Sequence, residues 1–291
     1  MEEKKEIFAK GFREGTQPRL VGTYTIDEAH SNRHARLLHM HEDALELFFV
    51  YSGEGQYMVD GCSYQVRQGD MVICNARVLH GEDPSAQRSM RSYSIALRDV
   101  SVEGLPVNQL MDERIKPVLS CGILSDQIGH MMRMIYVLHS KQGNLERVCS
   151  HTAMAVLLLI HDLLLSRERN GGDRSRLSAN MLARRIQHYL DDHYNEALTL
   201  HSIGSALHIS EYYLAHVFKS EMGMPPMQYV MKRRIGEAQT LLIDTNLPVA
   251  EISERLGYGN PWNFSTAFSR CVGMSPSQYR RTFRVMSYSQ L

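Results

Sequence analysis

The chain has 291 residues, of which 43% are hydrophobic and 22% are charged, and its formal net charge is zero. This length and composition exclude a disordered or fibrous chain and provide for two ordinary domains, each with its own core. Because the five cysteines include no CxxC pair and the N-terminus "MEEKKEIFAKGFREG" is charged, we expect a cytoplasmic protein with no disulfide framework, export signal or membrane span.

The first hundred residues have the pattern of short strands. Between about residues 20 and 100, brief apolar or alternating runs such as "LFFVYSG" and "GQYMVDG" are separated by Gly and Asp. Asp60-Gly61 is a tight-hairpin signal. Strands at this spacing favour a small barrel or sandwich. The same region contains "HMHEDALE", which brings His39, His41 and Glu46 within eight residues.

Residues 119–167 change to a helical pattern. The runs "SDQIGHMMRMIYVLHSKQ" and "LERVCSHTAMAVLLLIHDLLLSRE" repeat apolar residues at three- and four-residue spacing and predict two helices. His161 and Asp162 interrupt the second run, and we place them on its solvent side or at a dimer seam. The polar, glycine-containing stretch "SRERNGGDRSRLS", residues 166–178, predicts a linker. We divide the chain into residues 1–112, 113–172 and 173–291.

An internal repeat occupies the C-terminal segment. The stretch "FKSEMGMPPMQY", residues 218–229, aligns with "FSRCVGMSPSQY", residues 268–279, at an offset of 50, and upstream the match continues at an offset of 49. Each repeat consists of a short apolar helix, a tight turn and a second helix, which is the pattern of a helix-turn-helix. We expect the first helices to begin after Thr199 and after "NLP", and the second helices to span about 210–221 and 260–271. The second helices are expected to bury Leu214, Phe218, Phe264 and Phe268.

A helical pattern, "MQYVMKRRIGEAQTLLID", connects the two repeats. At ~1.5 Å per residue it predicts a helix of about 27 Å, close to the ~34 Å between successive major grooves on one DNA face. Residues 173–291 also carry 13 Lys and Arg against 10 Asp and Glu, which favours an anionic partner for this segment.

The C-terminal segment resembles the DNA-binding domain of the AraC/XylS transcription regulators over about 100 residues. The stretches that carry the resemblance are "ALHISEYYLAHVFKSEMGMPPMQYVMKRRIGEAQTLL" and "VAEISERLGYGNPWNFSTAFSRCVGMSPSQYRR". The resemblance implies an α+β multidomain protein with an N-terminal cupin-like β-barrel over residues 1–112, a helical dimerisation segment and linker over 113–172, and an all-α double helix-turn-helix over 173–291. It also implies double-stranded DNA as a partner.

The resemblance further implies which side chains meet DNA. The residues at the corresponding positions are Tyr212, Ala215, His216, Lys219, Asn260, Trp262, Asn263, Thr266 and Arg270. Asn263 suits an adenine edge in the major groove, whereas Lys219 and Arg270 are expected at phosphates. The chain departs from the family pattern at His216, Thr266 and Ser269, where positive charges are usual. Fewer phosphate contacts weaken binding by a single domain, which a dimer would compensate.

The strand domain resembles a cupin. The first cupin motif is matched by His39, His41, Glu46 and Gly53, with Arg33 in place of the leading Gly, and the second motif ends in His80. The resemblance implies an effector pocket formed by Arg36, His39, His41, Glu46 and His80. His39 and His41 are expected on one face of a strand. Three imidazoles and one carboxylate suit a divalent transition metal, so two interpretations stay open: a metal site, or polar side chains lining a ligand pocket.

Together these features predict a transcription regulator that is not an enzyme. The expected partners are double-stranded DNA, a small-molecule effector such as a sugar or another metabolite, and a second copy of the chain, without a membrane. The sequence contains no G-x-S-x-G, P-loop or GxGxxG motif. Two alternatives remain: a metal-dependent cupin enzyme, or bifunctional protein, with a helical DNA-binding tether, and an effector-independent regulator whose barrel serves only dimerisation.

Overall fold

The computed structural model describes residues 11–26, 38–82, 90–112, 115–139, 145–169 and 181–288. Its N-terminal part contains eight strands in two antiparallel sheets. They are β1 Arg19–Ile26, β2 Leu45–Ser52, β3 Glu54–Val59, β4 Cys62–Arg67, β5 Asp70–Cys74, β6 His80–Glu82, β7 Arg91–Arg98 and β8 Val118–Ser120. The sheet orders are β1-β7-β2-β5-β8 and β4-β3-β6. Apolar residues from both sheets share one core, so the sheets face each other.

The β3–β4 hairpin turns at Asp60 and Gly61, as the sequence predicts. Val59 pairs with Cys62, and the two turn residues have φ angles of 50° and 74°. A two-residue hairpin of this type requires positive φ at both positions, which Asp tolerates and Gly adopts freely. The tip of this hairpin lies against the C-terminal helices, where Gly61 faces Met222 and Gln187.

Two long helices cover the outer face of the five-stranded sheet. After a short 3₁₀ turn at Gly122–Leu124, α1 spans Ser125–His139 and α2 spans Glu146–Arg169. Their buried residues join those of β2, β5 and β7 in one core. Arg167 ties the end of α2 to the sheet, because its guanidinium donates to the Lys116 and Val118 carbonyls at 2.9 Å each.

By length and composition alone, α2 would be long and apolar enough to cross a membrane. In the structure its apolar side instead packs against the sheet. His161 is buried, with its ring centroid 5.4 Å from that of Phe12, so the expectation of a solvent-facing His161 is wrong. The helix continues to Arg169, into the start of the predicted linker; residues 170–180 of that linker lie outside the described residues.

The C-terminal part is all-helical. The helices are α3 Met181–His193, α4 Leu200–Leu207, α5 Glu211–Met222, α6 Pro226–Asp244, α7 Val249–Arg255, α8 Pro261–Val272 and α9 Pro276–Tyr288. They form two cores that divide within α6: residues 181–230 make the first unit and residues 231–288 the second. The predicted duplication is therefore visible as two helix-turn-helix units that share the connecting helix α6. The fold class predicted from the sequence is confirmed.

Local sequence signals set the helix ends in both units. Thr199 caps α4 through a reciprocal hydrogen-bond pair with Ser202, and Pro248 precedes α7, as predicted. The turns begin at His208 and Gly257, which both adopt left-handed conformations with φ of 57° and 72°. Helix α5 begins four positions after Leu207, whereas α8 begins five positions after the equivalent Leu256, which explains the one-residue slip between the repeats.

The structure predicts a pH-dependent contribution of Asp191, near the end of α3, to stability. Burial raises its pKa to about 6, partly offset by the Tyr229 hydroxyl, which donates to both carboxylate oxygens at 2.9 and 3.1 Å, and by the charge of Arg233. A raised pKa means that the folded domain holds this proton more tightly than the unfolded chain. Stability from this group is therefore full below pH ~4 and is lost as pH rises through about 6.

Replacing Asp191 by Asn removes the ionisable group and keeps an acceptor for Tyr229. We expect Asp191→Asn to stabilise the chain, with a gain about 1 kcal/mol larger at pH 7.5 than at pH 5. Denaturant melts at the two pH values measure the difference. The exposed neighbour Asp192, changed to Asn, serves as the matched control. A gain for Asp191→Asn that is equal at both pH values would contradict the assignment.

Candidate functional site

Each helix-turn-helix unit presents one exposed aromatic side chain at the same position of its second helix. Tyr212 and Trp262 are both the second residue of their helices, following the caps Ser210 and Asn260. Their side chains are 81% and 71% exposed. Single exposed aromatic residues are common on folded proteins, but their occurrence at the same position of both units indicates a shared role for this surface. The opposite faces are buried as predicted, through Leu214, Phe218, Phe264 and Phe268.

The other predicted DNA-facing residues lie on the same faces. His216, Lys219, Asn263, Thr266 and Arg270 are exposed, and Ala215 is half-buried. The rings of Tyr212 and His216 are nearly parallel, 6.2 Å apart, so the first unit presents a stacked pair. The Arg270 guanidinium lies 3.4 Å from the Met231 sulfur on α6. Tyr213, which the sequence analysis did not select, is also exposed beside Tyr212.

Asn260 has a local structural task in the second unit. Its side-chain oxygen accepts a hydrogen bond from the Trp262 backbone N–H at 2.8 Å and caps α8. Pro261 follows at the first helical position, the usual arrangement at a helix start. Asn260 therefore orients Trp262 and occupies one side-chain acceptor in doing so.

A second cluster lies in the strand domain, where three imidazoles converge on one carboxylate. Glu46 is on β2, His80 begins β6, and His39 pairs with His80 in an isolated bridge. The Glu46 Oε2 atom lies 2.8 Å from His41 Nε2, 3.2 Å from His80 Nε2 and 3.6 Å from His39 Nε2. One ligand atom from each of the four residues lies within 4.8 Å of the others.

The prediction that His39 and His41 share one face of a strand is wrong. His39 exchanges backbone hydrogen bonds with His80 at 2.9 Å each, but no named strand includes His41, because the chain bends at residues 42 and 43. The two imidazoles nevertheless meet, with ring centroids 5.2 Å apart. Arg36, which we assigned to the same pocket, lies outside the described residues, as does Arg33.

Neighbouring groups orient the cluster. His80 Nδ1 lies 2.8 Å from the Val78 carbonyl oxygen, so it donates there and turns Nε2 towards Glu46. The Ser94 hydroxyl donates to the other Glu46 oxygen at 2.8 Å. The sequence analysis missed Ser94, although the strand alternation of β7 would have placed it on the inner face.

The neighbouring imidazoles stabilise the ionised form of Glu46. Burial by itself would raise the pKa of Glu46, but the adjacent imidazoles of His39, His41 and His80, together with the charge of His80, hold it well below the usual value. His39, Glu46 and His80 are almost fully buried, whereas the His41 side chain is 20% exposed. Three imidazoles and an ionised carboxylate, with His80 oriented by a backbone carbonyl, fit the donor set of a divalent transition metal.

Comparison with known proteins gives two family matches. A family model described as a helix-turn-helix domain matches residues 203–282, and one described as a cupin domain matches residues 29–85. Over 248 residues the chain is 29% identical to the uncharacterized HTH-type transcriptional regulator YdiP of Escherichia coli K12, covering 84% of this chain and 81% of YdiP. It is 22% identical over 242 residues to the lactose operon transcription activator of Staphylococcus xylosus, covering 82% and 84%.

Among solved structures, the C-terminal domain of AraT, a response regulator from Geobacillus stearothermophilus, is 42% identical to the matching part of the chain. That match covers 37% of this chain and 88% of the AraT domain, with a TM-score of 0.35.

Proposed function

The chain belongs to the AraC family of helix-turn-helix transcription regulators and has an N-terminal cupin domain, and we propose that it is a cytoplasmic, homodimeric regulator whose two units contact successive major grooves. The observation that supports this most directly is the equivalence of Tyr212 and Trp262, two exposed aromatic residues at matched positions of α5 and α8. We propose further that a small molecule bound by the N-terminal domain controls how the DNA-binding units are presented.

The length of the connecting helix α6 is comparable with the distance between successive major grooves. α6 has 19 residues, which at ~1.5 Å per residue makes it about 28 Å long, comparable with the ~34 Å between major grooves on one face. Selection of bound duplexes from random DNA by the full-length chain tests the proposal. We expect enrichment of a motif with two short conserved blocks about one helical turn apart. Recovery of no enriched motif would overturn the proposed function.

Dimerisation is proposed to use the outer faces of α1 and α2. After these helices have covered the sheet, Met134, Val137, Val148 and Leu158 remain exposed on them. These side chains offer an apolar surface to a second copy of the chain. Sedimentation of the full chain at micromolar concentration measures the oligomeric state.

The cupin cluster has a second proposed role as a metal site. A bound divalent transition metal would supply Lewis-acid chemistry and would join His80 to the three ligands that lie close together at residues 39–46. We assign it an organising role, with His39, His41, Glu46 and His80 as ligands, because the burial of three of the four leaves little access for a substrate. This burial favours a regulator over the alternative of a cupin enzyme or a bifunctional protein, as do the regulators among the relatives.

We expect chain purified without chelator to carry near-stoichiometric transition metal. His41→Ala and His80→Ala should each lower the metal affinity at least about tenfold and thereby reduce the bound metal, because loss of a ligand should cost no less than loss of a supporting residue. Elemental analysis measures the content, and His201→Ala, at an exposed position far along the chain, is the control. Wild-type chain that contains no metal would leave the four residues as hydrogen-bonded polar groups.

A further inference from the structure

The tip of the β3–β4 hairpin is docked onto the first helix-turn-helix unit. The Asp60 carboxylate accepts hydrogen bonds from Arg184 Nη1 at 2.9 Å and from Gln187 Nε2 at 3.1 Å, both on α3. A Cβ on Gly61 would lie 2.6 Å from the Met222 sulfur at the end of α5. The strand domain and the first unit therefore meet through both an ion pair and close packing.

The same contact has an apolar part that begins beside the cupin cluster. Leu38 and Leu79, which precede His39 and His80 in the chain, share a core with Met58 and with residues of the first unit such as Leu190 and Phe218. His39 and His80 of the cupin cluster are thus each adjacent in sequence to a leucine that packs against the first helix-turn-helix unit.

A cavity of about 130 Å³ lies at this junction. Val59, Tyr64 and Asn75 line it from the strand domain, and Arg184 and His188 line it from α3. An apolar cavity of ~150 Å³ holds a benzene-sized molecule. At about 130 Å³ the junction cavity is slightly smaller than that, so its size suits a compact ligand with about six carbon atoms in all.

The charges around the cavity favour an anion. Arg77, Arg184 and His188 line it, against a single carboxylate, Asp60, which is already engaged by α3. The Arg184 Nε atom is buried, and within the described part of the chain it has no hydrogen-bond partner. A buried N–H without an acceptor costs about 1–3 kcal/mol, which a ligand oxygen would recover.

Two further groups add no competing negative charge. Burial raises the pKa of the Cys62 thiol and that of the Tyr64 hydroxyl, and the neighbouring Asp60 charge acts in the same direction. Both side chains therefore stay neutral at physiological pH. The Tyr64 hydroxyl donates to the Cys62 sulfur, so these two groups satisfy each other and leave the ligand to Arg184.

We propose that the junction cavity binds a small organic carboxylate with a compact apolar body, whose carboxylate accepts a hydrogen bond from Arg184 Nε. This inference deepens the proposed function and rests on it, since it names the chemical class of an effector and the place where it acts. A ligand in this cavity contacts the strand domain and α3 together, so it binds the docked arrangement in preference to an undocked one. The difference between its affinities for the docked and undocked arrangements would shift the population of the DNA-binding units towards the docked one.

The test uses hexanoate as the probe, its neutral amide hexanamide as the matched ligand, and inorganic phosphate as a second anion. We expect hexanoate to raise the melting temperature of the full chain in a concentration-dependent way, because it binds only the folded state. Hexanamide and phosphate should not. Stabilisation by hexanamide as well, or by phosphate alone, would overturn the carboxylate assignment.

Two substitutions should move the hexanoate affinity in opposite directions. Arg184→Gln removes the guanidinium that donates to the ligand carboxylate. This should weaken binding about tenfold or more, as expected for loss of a hydrogen bond to a charged group. Asp60→Asn removes the competing carboxylate, keeps an acceptor for Gln187, and should strengthen binding. Arg185→Gln, on the exposed side of the same helix, should leave the affinity unchanged. Equal weakening by Arg184→Gln and Asp60→Asn would mean that only domain docking was disturbed, and would overturn the proposal.

Failure of this inference is distinguishable from failure of the proposed function. A chain that selects a DNA motif but is not stabilised by hexanoate refutes the cavity assignment alone. A chain that selects no motif refutes the regulator proposal, whatever its response to hexanoate.

Discussion

Replacing Gly257 by Ala is expected to destabilise the protein by more than about 2 kcal/mol and to loosen the connection between its two DNA-binding units. Gly257 has a φ of 72°, which an L side chain adopts only with strain. A Cβ at this position would also overlap the carbonyl group of Asn195 in the first unit. The strained φ angle and the overlap with Asn195 both involve backbone atoms, which cannot move aside as a flexible side chain would.

Arg234 shows why this glycine matters for DNA binding. From α6, its guanidinium donates to the carbonyl oxygens of Tyr194 at 2.6 Å, Glu196 at 2.5 Å and Gly257 at 3.2 Å. These bonds join the loop after α3 to the turn of the second helix-turn-helix. We therefore expect Gly257→Ala to lower the affinity for a two-block DNA site more than the affinity for a single block.

The control for this substitution lies two residues further on. Gly259 has open space around its Cβ position and no positive φ, so Gly259→Ala should change stability by no more than about 0.5 kcal/mol. Denaturant unfolding of both variants measures the difference. Equal stabilities for Gly257→Ala and Gly259→Ala would contradict the close contact between the units.

Replacing Asn263 by Ala is expected to change which DNA sequence the protein selects. Asn263 is exposed at the third position of α8, next to Trp262. An Asn amide can bond both adenine edge atoms in the major groove, and loss of such a pair costs about 1–3 kcal/mol of discrimination at one base pair. The variant should therefore bind with lower affinity and lose its preference at a single position.

Lys219→Ala supplies the matched comparison, because it removes an exposed charge near the end of α5. A lysine at a phosphate carries no sequence information, so its loss should weaken binding to all sequences similarly and reduce the salt slope by about 1. Selection from random DNA with each variant measures both effects. An unchanged motif for Asn263→Ala would remove this residue from base recognition.

The helical repeat was predictable because its signals are local. Caps such as Thr199, the glycines that end helices, and the four-residue spacing of Phe264 and Phe268 act within one or two turns of the chain. The predicted second helices, about 210–221 and 260–271, differ from α5 and α8 by one residue at each end. The Asn-Pro pair that opens α8 also indicates the capping role of Asn260, because Asn caps helices and Pro favours the first helical position.

The junction between the domains was not predictable, because it depends on contacts between distant residues. Asp60 and Arg184 are 124 positions apart, and nothing near either residue indicates the other. The cluster of imidazoles was found from its spacing, whereas its geometry was not. His41 reaches Glu46 from a bend instead of a strand, and Ser94 comes from a strand 48 positions away.

The central claim is that α5 and α8 contact one face of the DNA in successive major grooves. Methylation interference on a selected duplex, with the full-length chain bound, tests this most directly because it reports major-groove contacts at single bases. We predict two interference patches on the same face, with centres about 10 base pairs apart for each pair of units. A single patch, or two patches on opposite faces of the duplex, would contradict the account.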